Sequence, residues 1–320
     1  MGVLSQSPST DPLSTAGLPD PAEPIGKFQN ILMNILVTGI LLSGTYALIA
    51  LGLTMQYGVA RIMNLGNGET LVAACFVAFW LFTGLAINPL VGLLIIAPAA
   101  FAINRDVYAV ALQPLVKRAK NRGQLEVDSI LATFGLLFLL QGLMIVGFGG
   151  EYHSYTFLAE RFEIFGNSYG LNRVVAFVAA VLIFVALWLF LYRTRQGTAL
   201  RAVAVDPDAA NLVAIDVART AAFAFALGGA LTACGGALLS TFYTFNASMG
   251  VVFTMKALII VIMGGVGDVR GAVLAALILG VSETLVASLI DPGLTLAATY
   301  MLFILVLLFR PQGIFGRAPT

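Results

Sequence analysis

Nine runs of mostly apolar residues recur along this chain: 31–57, 66–83, 85–103, 130–148, 173–192, 219–241, 251–266, 271–290 and 294–309. Most hold about 20 residues, the length an α-helix needs to cross a hydrocarbon core ~30 Å thick. Inside such a core only helices and closed barrels satisfy their own backbone polar groups. Unbroken runs of this length select helices, so the expected class is all-α, a polytopic transmembrane helical bundle of about eight to nine spans. Composition agrees. The chain is 59% hydrophobic and 10% charged, with a mean hydropathy of +0.96, whereas a soluble domain carries about 25% charged residues. Runs 66–83 and 251–266 are the weakest and read as broken or re-entrant.

The first 30 residues differ from the rest. Pro8, Pro12, Pro19, Pro21 and Pro24 stand among Ser, Thr and Asp, a composition expected to stay disordered. They lack the basic start and short apolar core of a signal peptide. Residues 31–317 are read as a single transmembrane domain. Basic residues orient it. Segment 104–129 holds Arg105, Lys117, Arg118, Lys120 and Arg122; 193–220 holds Arg193, Arg195, Arg201 and Arg219; the tail holds Arg310 and Arg317. These belong on the cytoplasmic side. The N-terminal tail, 149–172 and 242–250 belong outside, which places the C terminus in the cytoplasm.

Several function classes find no support. No G-x-x-x-x-G-K-[ST] loop is present, since Gly26-Lys27 is followed by Phe28 without a preceding glycine loop. Any ATP that drives the protein is therefore bound by another chain, and no cofactor is expected on this one. No basic stripe with interleaved aromatics points to nucleic acid. Cys75 and Cys234 sit inside apolar runs, and His153 is the one histidine. Neither a disulfide framework nor a histidine-based metal site is expected. A membrane enzyme lacks converging acid, base or metal groups, and a channel lacks a repeated filter sequence.

One polar stretch stands out in the second half, RTRQGTALRAVAVDPDAANLVAIDVART at 193–220. It reads as two short helices. Arg201 falls in the first. Asp206 can cap the second, and Pro207 suits its first turn. Leu200, Val203, Leu212, Val213 and Ile215 would give the pair an apolar side. A structured amphipathic loop points to a docking surface for a cytosolic partner; the alternative is an ordinary helix on the membrane surface.

Glycines cluster within the spans, at Gly228-Gly229, Gly235-Gly236, Gly264-Gly265-x-Gly267 and Gly271. The first two clusters read as close helix packing. The last reads as a tight turn around Asp268 and Arg270. Polar side chains also fall at membrane depth, where Asp, Lys or Arg at a helix centre costs ~2.5–3.5 kcal/mol on insertion scales. Glu283 is central in its run, Gln141 lies within 130–148, and Asn64-Leu-Gly-Asn67-Gly-Glu69 opens another run. Lys256 lies a turn into its own run and either finds a structural partner or snorkels outward. Asn64, Asn67, Glu69, Gln141 and Glu283 either form a translocation path or satisfy one another structurally. The path reading has Asn67, Glu69, Gln141 and Glu283 line or directly support one central cavity, with Glu69 near its cytoplasmic end.

Four blocks resemble the membrane subunits of branched-chain amino-acid ABC importers. The first runs Gly39-x4-Gly44-x-Tyr46-Ala47-Leu48-x-Ala50-Leu51-Gly52-Leu53-Thr54-x2-Tyr57-Gly58-Val59-x-Arg61-x2-Asn64-x3-Gly68-Glu69. The second is Ala132-Thr133-x-Gly135 with Gln141. The third is Gly197-x2-Leu200-Arg201-Ala202-Val203-Ala204-x-Asp206-x2-Ala209-Ala210. The fourth runs from Lys256-Ala257 through Gly264-Gly265-x-Gly267-x3-Gly271-Ala272. They lie in the family's order and cover about 31–317. Asn67 stands where the family carries histidine, and related permeases carry urea, short amides or sugars. The resemblance implies a type II ABC importer-like permease in a bacterial inner membrane, moving small solutes inward by alternating access. It implies cytosolic ATPase subunits, a second permease subunit (identical or paralogous) and an extracytoplasmic solute-binding protein. It also implies that Gly197, Leu200, Arg201, Asp206, Asp208 and Ala210 belong to the element that couples to the ATPase.

The charge distribution carries a test of its own. A membrane-impermeant thiol reagent applied outside should label Ser154→Cys and leave Asn121→Cys unlabelled. The opposite pattern would invert the orientation.

Overall fold

The structure, a computed structural model, describes residues 23–119, 121–164, 167–310 and 312–315. The expected disordered tail lies outside it for residues 1–22. Residues 23–30, expected to belong to that tail, instead begin the first helix, α1 (Glu23–Ala60), with Pro24 in its first turn. There proline's missing N–H leaves no helix hydrogen bond unmade.

The chain continues through α2 (Asn67–Leu85), α3 (Pro89–Val107), a π-helical turn at Tyr108–Leu112, α4 (Gln113–Arg118) and α5 (Arg122–Phe148). A short antiparallel hairpin follows, β1 (Arg161–Ile164) with β2 (Asn167–Gly170). Then come α6 (Leu171–Arg193), α7 (Arg195–Val205), α8 (Pro207–Leu212), α9 (Val217–Leu239), α10 (Gly250–Gly264), α11 (Val269–Leu289), a 3-10 turn and α12 (Thr295–Phe309). Among the described residues, eight helices are long and apolar enough to span a membrane, and α10 is a shorter apolar ninth. Run 66–83 is one continuous helix, α2, rather than a broken one. The hairpin lies in a segment read from sequence only as a loop. Helix starts follow local chemistry: the side chains of Asn88, Asn121, Asp216 and Asp268 each accept from a first-turn amide, replacing bonds that the helix cannot make there.

α9 and α1 form the centre. Their most apolar stretches are 83% and 72% buried, against 17% for α5 and 6% for α12. The outer helices therefore present apolar faces to lipid or to another subunit. Glycine permits the central contact. A methyl group built on Gly52 would collide with the Thr232 hydroxyl and the Gly228 carbonyl, and one on Gly228 with the Gly52 carbonyl. Gly264 and Gly271 bring α10 and α11 together in the same way, across a turn in which Gly265 and Gly267 have φ of 103° and 82°.

The bundle has two polar ends. At one, His153 and Phe245 exchange backbone hydrogen bonds of 2.7 and 3.0 Å, joining 149–172 to 242–250. At the other, residues 312–315 return to the α10 terminus, where the Ile314 and Phe315 amides donate to Met263 and Gly264. α7 and α8 sit at this second end.

The glycine contact predicts opposite signs for one substitution at two positions. Gly142 has open space around an added methyl group, so Gly142→Ala should be neutral or raise the unfolding midpoint through helix propensity, by up to ~1 kcal/mol. Gly228→Ala should lower it, by ~1–3 kcal/mol from overpacking. Equal shifts in detergent-solubilised protein would contradict the close α1–α9 crossing.

Candidate functional site

Between α1 and α2 the helix stops for six residues, 61–66, inside the bundle. The break begins at Arg61, whose φ of 56° is left-handed, a conformation costing a non-glycine residue ~1–2 kcal/mol. A helix interrupted within protein leaves backbone groups without their usual partners. Here side chains supply them. The Gly66 amide donates to Asn64 Oδ1 at 3.0 Å, and the Leu65 amide to Thr133 Oγ1 at 3.2 Å. The Thr254 hydroxyl donates to Leu65 O at 3.1 Å and accepts from the Gly68 amide at 2.8 Å. Thr133 Oγ1 also lies 3.0 Å from Met63 O. Asn64 Nδ2 donates to Gln56 Oε1 at 3.0 Å, and Gln56 Nε2 to Phe225 O at 3.3 Å. The break is thus tied to α5, α9 and α10 as well as to α1.

Asn67 and Glu69 open α2 immediately beyond it, both fully buried. Asn67 Oδ1 accepts from Thr232 Oγ1 on α9 at 2.8 Å, while its Nδ2 has no partner. Both carboxylate oxygens of Glu69 are buried without a hydrogen bond. Two features make this tolerable. Glu69 lies in the first turn of α2, and its carboxylate rests against the Cα of Gly250 in the first turn of α10. The positive ends of two helix dipoles therefore converge on one acid. The approach requires glycine, because a methyl group on Gly250 would meet the Glu69 carboxylate, and one on Gly68 the Gly250 carbonyl.

Asn64 and Glu69 border an open cavity of about 130 Å³ lined by α2, α3, α5 and α9. Its walls are otherwise mainly Ala, Val, Ile and Leu, with Thr70 and Asn104. A larger cavity of about 910 Å³ opens at the end carrying α7, bordered by Arg61, Glu126, Arg201, Asp268, Arg270 and Phe315 among others.

Glu283 lies elsewhere. It takes Lys256 Nζ at 2.8 and 2.9 Å on its two oxygens, the Tyr46 hydroxyl at 2.8 Å and the Thr299 hydroxyl at 2.6 Å. Lys256 Nζ also donates to Tyr46 Oη at 2.8 Å. This buried knot joins α1, α10, α11 and α12. Lys256 does not snorkel outward, one of the two outcomes the sequence allowed; its ammonium meets Glu283 and Tyr46 inside the bundle instead. On α10 it lies about 200° round from Thr254, so that helix carries the break on one side and the ion pair on nearly the opposite one. Gln141 is half-buried on α5 and does not border the 130 Å³ cavity. The four residues expected around one cavity are therefore divided. Glu69 borders it, Asn67 at the start of α2 is held by Thr232 of α9 and does not border it, Glu283 belongs to the ion-pair knot, and Gln141 stands apart.

In the polar loop, Thr194 ends α6 and starts α7: its hydroxyl donates to Phe190 O at 2.7 Å and accepts from the Gly197 amide at 3.0 Å. Gly197 packs on the α6 backbone so closely that a side chain would not fit. Asp206 caps α8 through the Asp208 and Ala209 amides at 2.9 and 3.1 Å. Leu200, Val203 and Ala210 are buried against the bundle, whereas Arg201 and Asp208 are exposed, with the Arg201 guanidinium 4.5 Å above the Tyr192 ring. Leu212 and Val213, read as part of the pair's apolar side, are 89% and 69% exposed, because α8 ends at Leu212 and both project past its packed face.

Sequence reasoning passed over Gln56, Thr254, Thr232 and Asn104, and gave Thr133 and Tyr46 no role beyond their motifs. A threonine or glutamine inside an apolar run was the available signal, since at that depth each needs a protein partner.

A family profile described as branched-chain amino acid transport system / permease component matches residues 35–309. The high-affinity branched-chain amino acid transport system permease protein BraD of Pseudomonas aeruginosa is 34% identical over 293 residues, 88% of this chain and 95% of that protein. LivH of Salmonella typhimurium is 31% identical over 289 residues, 87% of this chain and 94% of that protein. A probable LivH of Methanocaldococcus jannaschii is 29% identical over 292 residues, covering 88% and 92%. Among solved chains, one from PsaBC of Streptococcus pneumoniae in complex with Fab matches with a TM-score of 0.49 and 12% identity, covering 92% of this chain and 98% of that one.

Removing one member of the ion-pair knot should be worse than removing both. Lys256→Met leaves a buried carboxylate without its counter-charge and should destabilise by ~3–5 kcal/mol. Adding Glu283→Leu to it should recover part of that loss. The unfolding midpoints of the wild type, both single variants and the double variant measure it, and additive losses would deny the coupling.

Proposed function

Since this chain belongs to the family of branched-chain amino acid transport system permease components, we propose that it is the membrane subunit of an ATP-driven importer carrying branched-chain amino acids or closely similar small solutes inward. The observation that carries the reading is the match of residues 35–309 to the family profile, together with the likeness to BraD and LivH proteins over most of the chain. The interrupted helix supports it physically, because irregular backbone at membrane depth occurs where it is packed in protein or lines a cavity. ATP is then bound by separate cytosolic ATPase subunits. A second permease subunit completes the pathway, and an external binding protein delivers the solute.

Within that assembly Asn64, Asn67 and Glu69 border the path, and Glu283 pins the helices around it through Lys256. α7 and α8 form the coupling element. Gly197, Leu200 and Ala210 seat it on the bundle, Asp206 fixes the turn between the two helices, and Arg201 and Asp208 face the ATPase beside the exposed Leu212 and Val213. Positive charge puts this end in the cytoplasm of a bacterial inner membrane, and the N terminus outside.

The experiment is reconstitution of the complete importer in proteoliposomes with labelled leucine outside and ATP inside. Uptake that requires both ATP and the binding protein is expected; no uptake of any branched-chain amino acid would defeat the proposal. Arg201→Glu should insert normally yet lose most uptake, with ATP hydrolysis no longer stimulated by the loaded binding protein. Wild-type uptake and stimulation in that variant would remove Arg201 from the coupling role.

A further inference from the structure

We propose that the 910 Å³ cavity at the α7 end holds the phosphate of an anionic phospholipid whose acyl chain runs along α6. The inference does not depend on what solute the chain carries. Arg61, Arg201 and Arg270 border this cavity, with Glu126 and Asp268 as its acids. Among the described residues the ion pairs are Arg219–Asp216 and Lys256–Glu283, so none of these three guanidinium groups has a carboxylate partner. Asp268 Oδ1 is already engaged, accepting from the Arg270 and Gly271 amides at 2.8 and 2.9 Å. The Nε of Arg61 is buried without an acceptor. The cavity thus combines an excess of positive charge with an unmet N–H donor. A phosphate group answers both, because its oxygens match the planar donor fork of a guanidinium group.

The aromatic residues beside the cavity favour a lipid over a free anion. Trp188 and Tyr192, one turn apart on α6, stack with ring centroids 4.3 Å apart at 30°. The Arg270 guanidinium lies 4.9 Å from the Trp188 ring, and that of Arg201 4.5 Å from the Tyr192 ring. Each aromatic ring therefore holds one cation against its face, while the in-plane N–H groups of a stacked guanidinium stay open to an acceptor. Arg201 spends one of them on Thr198 Oγ1 at 3.4 Å. Farther along α6 the surface is apolar. Val181 and Val185 are 40% and 43% exposed. With Trp188 and Tyr192 they fall at i, i+4, i+7 and i+11, a single strip about 60° wide. Trp and Tyr settle at the membrane–water boundary, so the aromatic pair marks headgroup depth and the two valines mark the acyl layer. Basic pockets between spanning helices on the cytoplasmic side suit acidic headgroups. A headgroup on Arg201 and Arg270 would tie α7 to the start of α11.

The test uses the full-length permease in detergent, with dioctanoyl phosphatidylglycerol as probe. Dioctanoyl phosphatidylcholine has the same chains without net charge. Glycerophosphoglycerol and inorganic phosphate carry the anion without chains. A saturable rise of the unfolding midpoint is expected with phosphatidylglycerol, at a half-saturating concentration at least tenfold below that of the other three. Arg270→Gln, at an exposed position, should raise that concentration at least tenfold, and Trp188→Leu, which breaks the aromatic pair, should do the same. Arg219→Gln removes an exposed arginine that does not border the cavity and should keep the wild-type response. An equal loss in Arg219→Gln reduces the effect to general charge attraction and overturns the site. An unchanged response in Arg270→Gln or Trp188→Leu, or an equal response to phosphatidylcholine, also overturns it. An equal response to glycerophosphoglycerol or phosphate assigns the cavity to a free anion and overturns the lipid. No saturable response overturns the proposal, and loss of the ATPase from the purified Arg270→Gln importer would then give the cavity to that partner. Should Trp188→Leu fail to fold, Arg270→Gln and the headgroup comparison still decide.

Discussion

A peptide group inside a bilayer has no water to fall back on, and the architecture around residues 61–66 follows from that constraint. Once α1 ends short of α2, several amides and carbonyls need partners from other helices. Thr133 on α5 and Thr254 on α10 each serve the break from a different side. Gln56 and Asn64 link it to the α9 backbone. Each unsatisfied buried group costs ~1–3 kcal/mol, so these side chains fix where α5, α9 and α10 stand. Glycines at 68 and 250 then let two helix starts approach closely enough to share one acid.

The bundle handles its two buried acids by opposite means. Glu283 is saturated, with a lysine, a phenol and a hydroxyl on its two oxygens. Glu69 has only helix dipoles and no hydrogen bond. Saturated groups of this kind lock helices, because freeing one partner leaves a charge stranded. α1, α10, α11 and α12 are tied through Glu283, while Glu69 lies where the starts of α2 and α10 meet.

Much of the fold was legible in the sequence. Apolar run length gave the spans, Asp206-Pro207 marked the α7–α8 turn, and the Gly264–Gly271 cluster marked the turn between α10 and α11. What stayed hidden depends on distance along the chain. The contacts Tyr46 to Glu283, Lys256 to Glu283 and Asn67 to Thr232 span 237, 27 and 165 residues, and periodicity within one run cannot show its partner in another. For that reason Lys256 looked free to snorkel, and Glu69 and Glu283 looked equivalent. The apolar side read into the α7–α8 pair divides in two: a six-residue helix has room for only one packed face, which Ala210 occupies, and Leu212 and Val213 stay exposed.

α10 has 15 residues, which at a rise of ~1.5 Å per residue makes it about 22 Å long, shorter than the ~30 Å hydrocarbon layer. Most of its side chains are covered by protein. Spanning helices adjust to thicker or thinner bilayers by tilting or by deforming the lipid around them. A short helix shielded by its neighbours has no lipid boundary to match. The polar break and the ion pair are both mounted on that helix, so the chemistry at the centre of the bundle is mechanically insulated from membrane thickness, and the outer helices α5 and α12 absorb the mismatch.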